Sequence, residues 1–381
     1  MKNPPLSLYV HLPWCVRKCP YCDFNSHAIK DDFPGDDYIN LLLTDLEAEL
    51  PLVWGRVVHS IFLGGGTPSL FSADQIERLV NGIRGRLPLS PDAEVTLEAN
   101  PGTIEHDSFS AYRDAGINRI SLGVQSFSDE RLRAIGRIHG RAEVGKALDS
   151  LRTSGIANFN IDLMFALPGQ SANEALEDVR MAVESRPAHL SHYQLTLEPN
   201  TAFFANPPDL PDDDEAWEMQ SRCAELLAQE GYEQYEISAW ARPGNECRHN
   251  LNYWGYGDFV GIGAGAHGKI TAPPGQEIRR RIRLRHPRSW MQAVPAGTQL
   301  AEDRVLKPEE RIFEFFLNQL RLRRGVDMAW FTARTGLGRE QVEGRIEKVI
   351  ESGLLKEENG VLKHTALGWR FINEIQAVFL P

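Results

Sequence analysis

The apolar positions of the chain follow two periods that take turns along its first half. Short apolar runs at residues 6–11, 57–63, 94–98, 119–123, 158–164 and 189–195 predict six strands. Between them the spacing lengthens to that of helices. Residues 37–50 place Ile39, Leu42, Leu43, Leu46 and Leu50 on one face, a second helix starts at a capping Ser72, and two more run over 142–152 and 173–184. Strands alternating with helices of this length make a parallel sheet with helical crossovers. Six units fall short of a closed eight-stranded barrel, so the expected fold class is α/β, a partial (β/α)6 TIM-like barrel with an open side. Polar and glycine residues that break the pattern stand at the C-terminal ends of the strands, where such sheets build their sites.

Beyond residue 205 the pattern changes. A long helix over 212–231 opens on Asp212-Asp213-Asp214-Glu215, which suits the positive end of a helix dipole. The segments 235–238 and 247–254 and a glycine-rich strand pair over 255–269 follow, and residues 296–307 read as a linker. Residues 308–381 read as three helices, a hairpin at Glu358-Asn359-Gly360 and a last helix, which resembles a winged-helix module. The expected organisation is therefore a barrel over 1–205, a mixed α+β extension over 206–300 and a helical module over 301–381. Within the extension, Arg279, Arg281, Arg283 and Arg285 share one face of a predicted strand, with Ile278, Ile282 and Leu284 on the other. The plain reading is a solvated edge strand whose charges discourage pairing. The functional alternative is an anionic partner gripped by guanidinium forks.

Composition narrows the class. The 381 residues are 42% hydrophobic and 24% charged, an ordinary globular balance, and the formal net charge of -11 speaks against a dedicated nucleic-acid binder. The helix over 336–355 mixes Arg339, Arg345 and Lys348 with four glutamates, without the basic excess of a DNA-recognition helix. No apolar run approaches a membrane span, and the N-terminus runs into the first strand without a leader pattern, so a cytoplasmic location is expected.

Three of the five cysteines sit together, as Cys15, Cys19 and Cys22 at C-x3-C-x2-C spacing directly after the first strand. This clustering argues for metal chemistry rather than a disulfide framework. A zinc knuckle normally needs a second ligand pair, and none is visible. Thiolate ligation of an iron–sulfur cluster fits better, with one iron of a four-iron cluster left open. The loop resembles that of radical S-adenosylmethionine (SAM) proteins, Tyr21 standing where that superfamily usually has an aromatic. The resemblance implies a [4Fe–4S] cluster on the three cysteines and SAM chelating the open iron. Gly64-Gly65-Gly66-Thr67-Pro68, taken alone a tight turn, then resembles the superfamily's segment for close backbone approach to SAM. Position by position, Tyr9, Gly65, Gly66, Thr67, Glu98, Gln125, Arg137 and Asp162 match SAM contacts in the oxygen-independent coproporphyrinogen III oxidase family.

That family contains both true oxidases and the heme-chaperone subfamily HemW. The oxidases carry a further cysteine where this chain has Phe24, and an arm ahead of the loop where only fourteen residues precede Cys15. His249-Asn250-Leu251-Asn252-Tyr253-Trp254 matches the H-N-x-x-Y-W pattern of the chaperones. The resemblance implies a heme contact at His249, with Asn250, Tyr253 and Trp254 nearby, since imidazole ligates heme iron and aromatics flank the macrocycle. Cys247 and His267 are rival ligands, and an ordinary structural role is the alternative for a histidine in this setting. The arginine run would then meet heme propionates. By the same resemblance the partners are heme, a heme donor protein and respiratory apo-hemoproteins, with membrane contact only through clients and a homodimer left open. A radical enzyme acting on a tetrapyrrole is the competing function.

Overall fold

The computed structural model describes residues 3–29, 33–103, 107–272 and 277–381. The strands β1 (Leu6–Leu12), β2 (Val58–Gly65), β3 (Leu89–Ala99), β4 (Arg119–Gln125), β5 (Asn158–Phe165) and β6 (His189–Gln194) lie side by side in chain order, all parallel. These are the six runs anticipated from the apolar pattern. The helices α1 (Gly35–Glu47), α2 (Ala73–Arg84), α3 (Arg141–Ser154) and α4 (Ala172–Glu184) each bury one stripe in the main core. At the start of α2 the Ser72 hydroxyl accepts from the Gln75 amide while the Gln75 side chain accepts from the Ser72 amide, a reciprocal cap that fixes where the helix begins.

The sheet does not stop at six strands. After helix α5 (Asp213–Gln229), β7 (Glu233–Glu236) and β8 (Ala239–Ala241) extend it antiparallel beyond β6. Helix α6 (Arg248–Trp254) then leads back to the other edge. There β9 (Asp258–Ile262) pairs parallel with β1, and β10 (His267–Ala272), β11 (Glu277–Arg283) and β12 (Leu300–Val305) follow antiparallel. The order is β12-β11-β10-β9-β1-β2-β3-β4-β5-β6-β8-β7, so the mixed segment continues the barrel wall on both sides.

Two expectations for this region need correction. The stretch expected to be a linker holds β12, an outer strand whose residues Ala301 to Val305 are mostly exposed. Its charged sequence is that of a blunted sheet edge, which looks like a linker when only polarity is read. The arginine-rich strand β11 is interior, between β10 and β12. Arg281 and Arg283 are buried against carboxylates on and just past α1: Arg283 reaches Asp45 at 3.2 Å and Glu49 at 2.7 Å, and Arg281 reaches Glu49 at 3.0 Å. The alternation was legible, but no local signal announced the acids waiting some 230 residues earlier in the chain.

The C-terminal part places α7 (Pro308–Gln319), α8 (Met328–Thr335) and α9 (Glu343–Glu351) around a small sheet of Val326–Asp327, Leu355–Glu358 and Val361–His364. Its hairpin turns at Asn359 and Gly360, both at positive φ, as a tight two-residue turn requires. Phe315, Phe316, Phe331, Leu362 and Phe379 form its core, and Tyr256 and Ile278 enter that core from the sheet region. Among the described residues no helix is long and apolar enough to cross a membrane.

Candidate functional site

Past Leu12 the chain forms a loop closed at its neck, where Trp14–Cys15 bridges His27–Ala28. The His27 amide donates to the Pro13 carbonyl at 2.7 Å and the Ile29 amide to that of Cys15 at 2.9 Å. Inside the loop Cys15, Cys19 and Cys22 are free, partly exposed thiols. The glycine run after β2 lies directly on this loop, with the Gly66 amide donating to the Leu12 carbonyl at 2.8 Å and the Thr67 amide to that of Trp14 at 2.7 Å. A Cβ on Gly66 would run into the Trp14 backbone, and one on Gly65, whose φ is +114°, into the His11 ring. Only glycine permits this approach. The Thr67 hydroxyl donates to the Cys15 sulfur at 3.5 Å and Arg137 to that of Cys19 at 3.6 Å. Among the described residues no three His, Cys, Asp or Glu side chains converge on the position of a single ion. A four-iron cluster instead asks each thiolate for a different iron, and this donor set fits it.

Against the loop lies a cavity lined by the three cysteines and by Tyr21, Gly65, Gly66, Thr67, Glu98, Gln125, Arg137 and Asp162, all singled out from the sequence. Asn100, Ser121 and Tyr193 join them, although strand-end position alone could not tell these from ordinary caps. Gln125 holds φ at +72°, unusual for a side-chain-bearing residue, just where the β4–β5 register shifts, and its amide oxygen accepts from the Tyr193 hydroxyl at 2.8 Å. Arg137 is fixed by the Gly123 carbonyl at 2.7 Å and by Asn100, which in turn donates to Thr67 at 2.9 Å. Burial, reinforced by Asp162, pushes the Glu98 carboxyl up to about 7, although the Gly65 amide donates to it at 3.0 Å. Burial likewise raises Asp162, against bonds from Asn160 at 2.7 Å and Ser121 at 3.2 Å. Two half-buried carboxyls and a half-buried guanidinium on one cavity suit a small ligand that carries both positive and negative groups.

A second, larger cavity of about 670 Å³ opens beside the first, within the range that holds cofactors. His249, Asn250, Tyr253 and Trp254 of α6 all line it, together with Tyr9, Phe62 and Phe259. Tyr9 belongs to this cavity rather than to the lining of the smaller one. Its aromatic lining falls into two groups: Tyr9 stacks on Phe62 at 6.3 Å and Phe62 meets His249 at 5.1 Å, while Tyr253 meets Phe259 at 5.0 Å. Phe62 and Phe259 escaped the sequence reading because they sit in the middle of strands and look like core. Arg280 and Arg285 add two guanidiniums to the lining. Thus part of the arginine run faces the cavity while another part is locked in the core.

His249 is set by several contacts. The amides of Arg248 and His249 each donate to the buried Glu94 carboxylate of β3 at 3.2 Å, which anchors the start of α6. The His249 Nδ1 lies 3.2 Å from the Ser60 hydroxyl, which lies 2.7 Å from that of Ser7, and Ser7 accepts from Asn252 at 2.8 Å. Burial pushes the imidazole down to about 3, so it is neutral at physiological pH and keeps a lone pair for a metal. Serine hydroxyls can turn to accept from Nδ1–H, the arrangement that leaves Nε2 as the ligating atom. Of the rivals, His267 is exposed and lines the cavity, whereas Cys247 does not. The Cys247 thiol is buried against Glu94 at 3.5 Å and pushed up to about 12 by that burial.

The radical SAM superfamily profile matches residues 9–182, and that of the HemN C-terminal domain matches residues 306–371. The heme chaperone HemW of Escherichia coli (strain K12) is 50% identical over 380 residues, spanning 100% of this chain and 99% of that one. The heme chaperone HemW of Haemophilus influenzae is 48% identical over 383 residues, again spanning 100% and 99%. Among solved structures, the coproporphyrinogen III oxidase HemN from Escherichia coli, described as a radical SAM enzyme, superposes with a TM-score of 0.84 at 26% identity. The match covers 99% of this chain and 90% of that one.

Proposed function

This chain belongs to the HemW heme-chaperone family within the radical SAM superfamily, and from that premise we propose that it binds heme and delivers it to apo-hemoproteins. The observation that carries this reading is the larger cavity, where a buried neutral histidine stands among aromatic walls and two arginines, next to the three-cysteine loop. Imidazole meets iron, rings meet the macrocycle, and Arg280 and Arg285 meet the propionates. Cys15, Cys19 and Cys22 hold a [4Fe–4S] cluster. Tyr21, Gly65, Gly66, Thr67, Glu98, Gln125, Arg137 and Asp162 receive SAM, and Tyr9 is assigned to the heme side. When bound, the cluster supplies the electron that SAM cleavage would need. Respiratory apo-hemoproteins are the expected acceptors, and the site is expected to act in the cytoplasm.

Titration of hemin into wild type and His249→Ala, followed at the Soret band, tests the assignment. Loss of an axial ligand should weaken binding by at least about tenfold, some 1.4 kcal/mol or more. Equal binding by both would remove His249 as the main ligand.

A second reading is favoured by the full-length likeness to the HemN structure, namely radical chemistry on a tetrapyrrole. An anaerobic assay with reductant, SAM and coproporphyrinogen III separates the two. Substrate-dependent 5′-deoxyadenosine together with protoporphyrinogen would overturn the chaperone reading, while neither product is expected.

A further inference from the structure

Phe24, Gly65 and Glu98 line both cavities. They are therefore the partition through which one bound molecule would meet the other. Gly65 contributes only backbone, and the Glu98 carboxyl is tied to the Gly65 amide. Phe24 alone adds an apolar ring, and that ring is 60% exposed although its backbone is held. The Phe24 carbonyl accepts from Lys18 at 2.9 Å and from the Ser26 amide at 2.7 Å, and its backbone bonds the Cys22 thiol. The next residue, Asn25, anchors the loop to the opposite wall by donating to the carbonyls of Ala264 at 2.9 Å and Arg285 at 2.8 Å. Its own carbonyl lies 2.8 Å from His11 Nε2, while His11 Nδ1 meets the Tyr9 hydroxyl at 2.9 Å. A large ring on a backbone fastened from both sides, more than half of it open among the described residues, is a surface waiting for an apolar face.

We propose that Phe24 is the residue that keeps a tetrapyrrole and the cluster-side ligand in separate compartments, its ring packing on the macrocycle beside His249 and closing the passage to the cysteine loop. This rests on the heme-binding reading above. It makes Phe24 a specificity-determining residue: the macrocycle would be held in the larger cavity, away from the cysteine loop. A smaller residue would open the partition between the two compartments.

The test uses full-length protein with its cluster reconstituted, as wild type, Phe24→Ala and Phe24→Trp. Phe24 is exposed and is not a cysteine ligand, so iron content and cluster absorption should be equal in all three. Two quantities are read: hemin affinity from the Soret band, and SAM affinity with and without saturating hemin. Wild type should bind SAM equally well in either condition. Phe24→Ala should lose roughly five- to tenfold in hemin affinity, the order expected for one aromatic contact and its burial, and hemin should now compete with SAM. Phe24→Trp, which keeps a ring face, should behave as wild type in both. The partition is overturned if hemin displaces SAM from wild type, or if Phe24→Ala matches wild type in both readings. Wild type that binds no hemin at all would sink the chaperone reading together with this inference, whereas intact binding with an inert Phe24→Ala sinks the inference alone.

Discussion

Glu98 shows how a single residue can set a pH window. Burial and the nearby Asp162 raise its folded carboxyl from an ordinary 4.5 to about 7. Below about 4.5 both folded and unfolded chains hold this proton and the contribution is fully present; as pH rises through 7 it is lost. The loss is on the order of 3 kcal/mol. Urea denaturation from pH 4.5 to 7.5 should show wild type weakening relative to Glu98→Gln across this window. Parallel profiles for the two proteins would mean that the carboxyl titrates alike in the folded and unfolded chains. At this scale the sequence was informative wherever chemistry is local. Cysteine spacing, the glycine run and the strand-end polar residues all converge on one cavity, because a parallel barrel delivers every strand end to the same rim. Residues whose role comes from distant neighbours were not legible. His11 looks like any histidine in a strand until Asn25 and Tyr9 are seen on its two nitrogens.

Among elements, the pairing of α1 with β11 shows why one strand can hold two kinds of arginine. Arg283 is fully buried with Asp45 and Glu49, so its removal leaves Asp45 in the core without a cationic partner among the described residues, while Glu49 keeps only Arg281. Arg283→Ala should cost about 3–5 kcal/mol. Arg279, on the same face but partly exposed and paired with Asp303, should cost at most about 1 kcal/mol on the same change. Guanidinium denaturation of both variants checks the contrast, and equal losses would contradict the assignment of Arg283 to a closed ion cluster. The central strands were readable because most of their positions are buried and apolar residues recur within them at short spacing. The outer strand β12 was not, since an edge protects itself with the same charged residues that mark a linker. The start of α2 was legible for the opposite reason, the cap lying in the local sequence at Ser72.

At the scale of the molecule, the C-terminal module is tied to the sheet through its interior. Tyr256 and Ile278 lie in the same core as Phe315 and Phe331, with Tyr256 and Phe315 ring centres 5.7 Å apart. Ending the chain at Val305 would therefore uncover apolar surface beside the larger cavity. That truncation should be recovered largely as aggregate, and a soluble, cooperatively melting 1–305 fragment would show the module to be dispensable for folding. The order of the sheet also bears on how the protein is made. The first strand out of the ribosome, β1, lies in the middle, and its neighbour β9 is translated some 250 residues later. The cysteine loop that follows β1 stays unanchored on one side until Ala264 and Arg285 have emerged to hold Asn25. A cluster that needs the fully anchored loop would therefore be loaded late in the life of the chain, and a stalled nascent polypeptide would carry its three thiols on a loop fastened on one side only until synthesis had passed the arginine-rich strand.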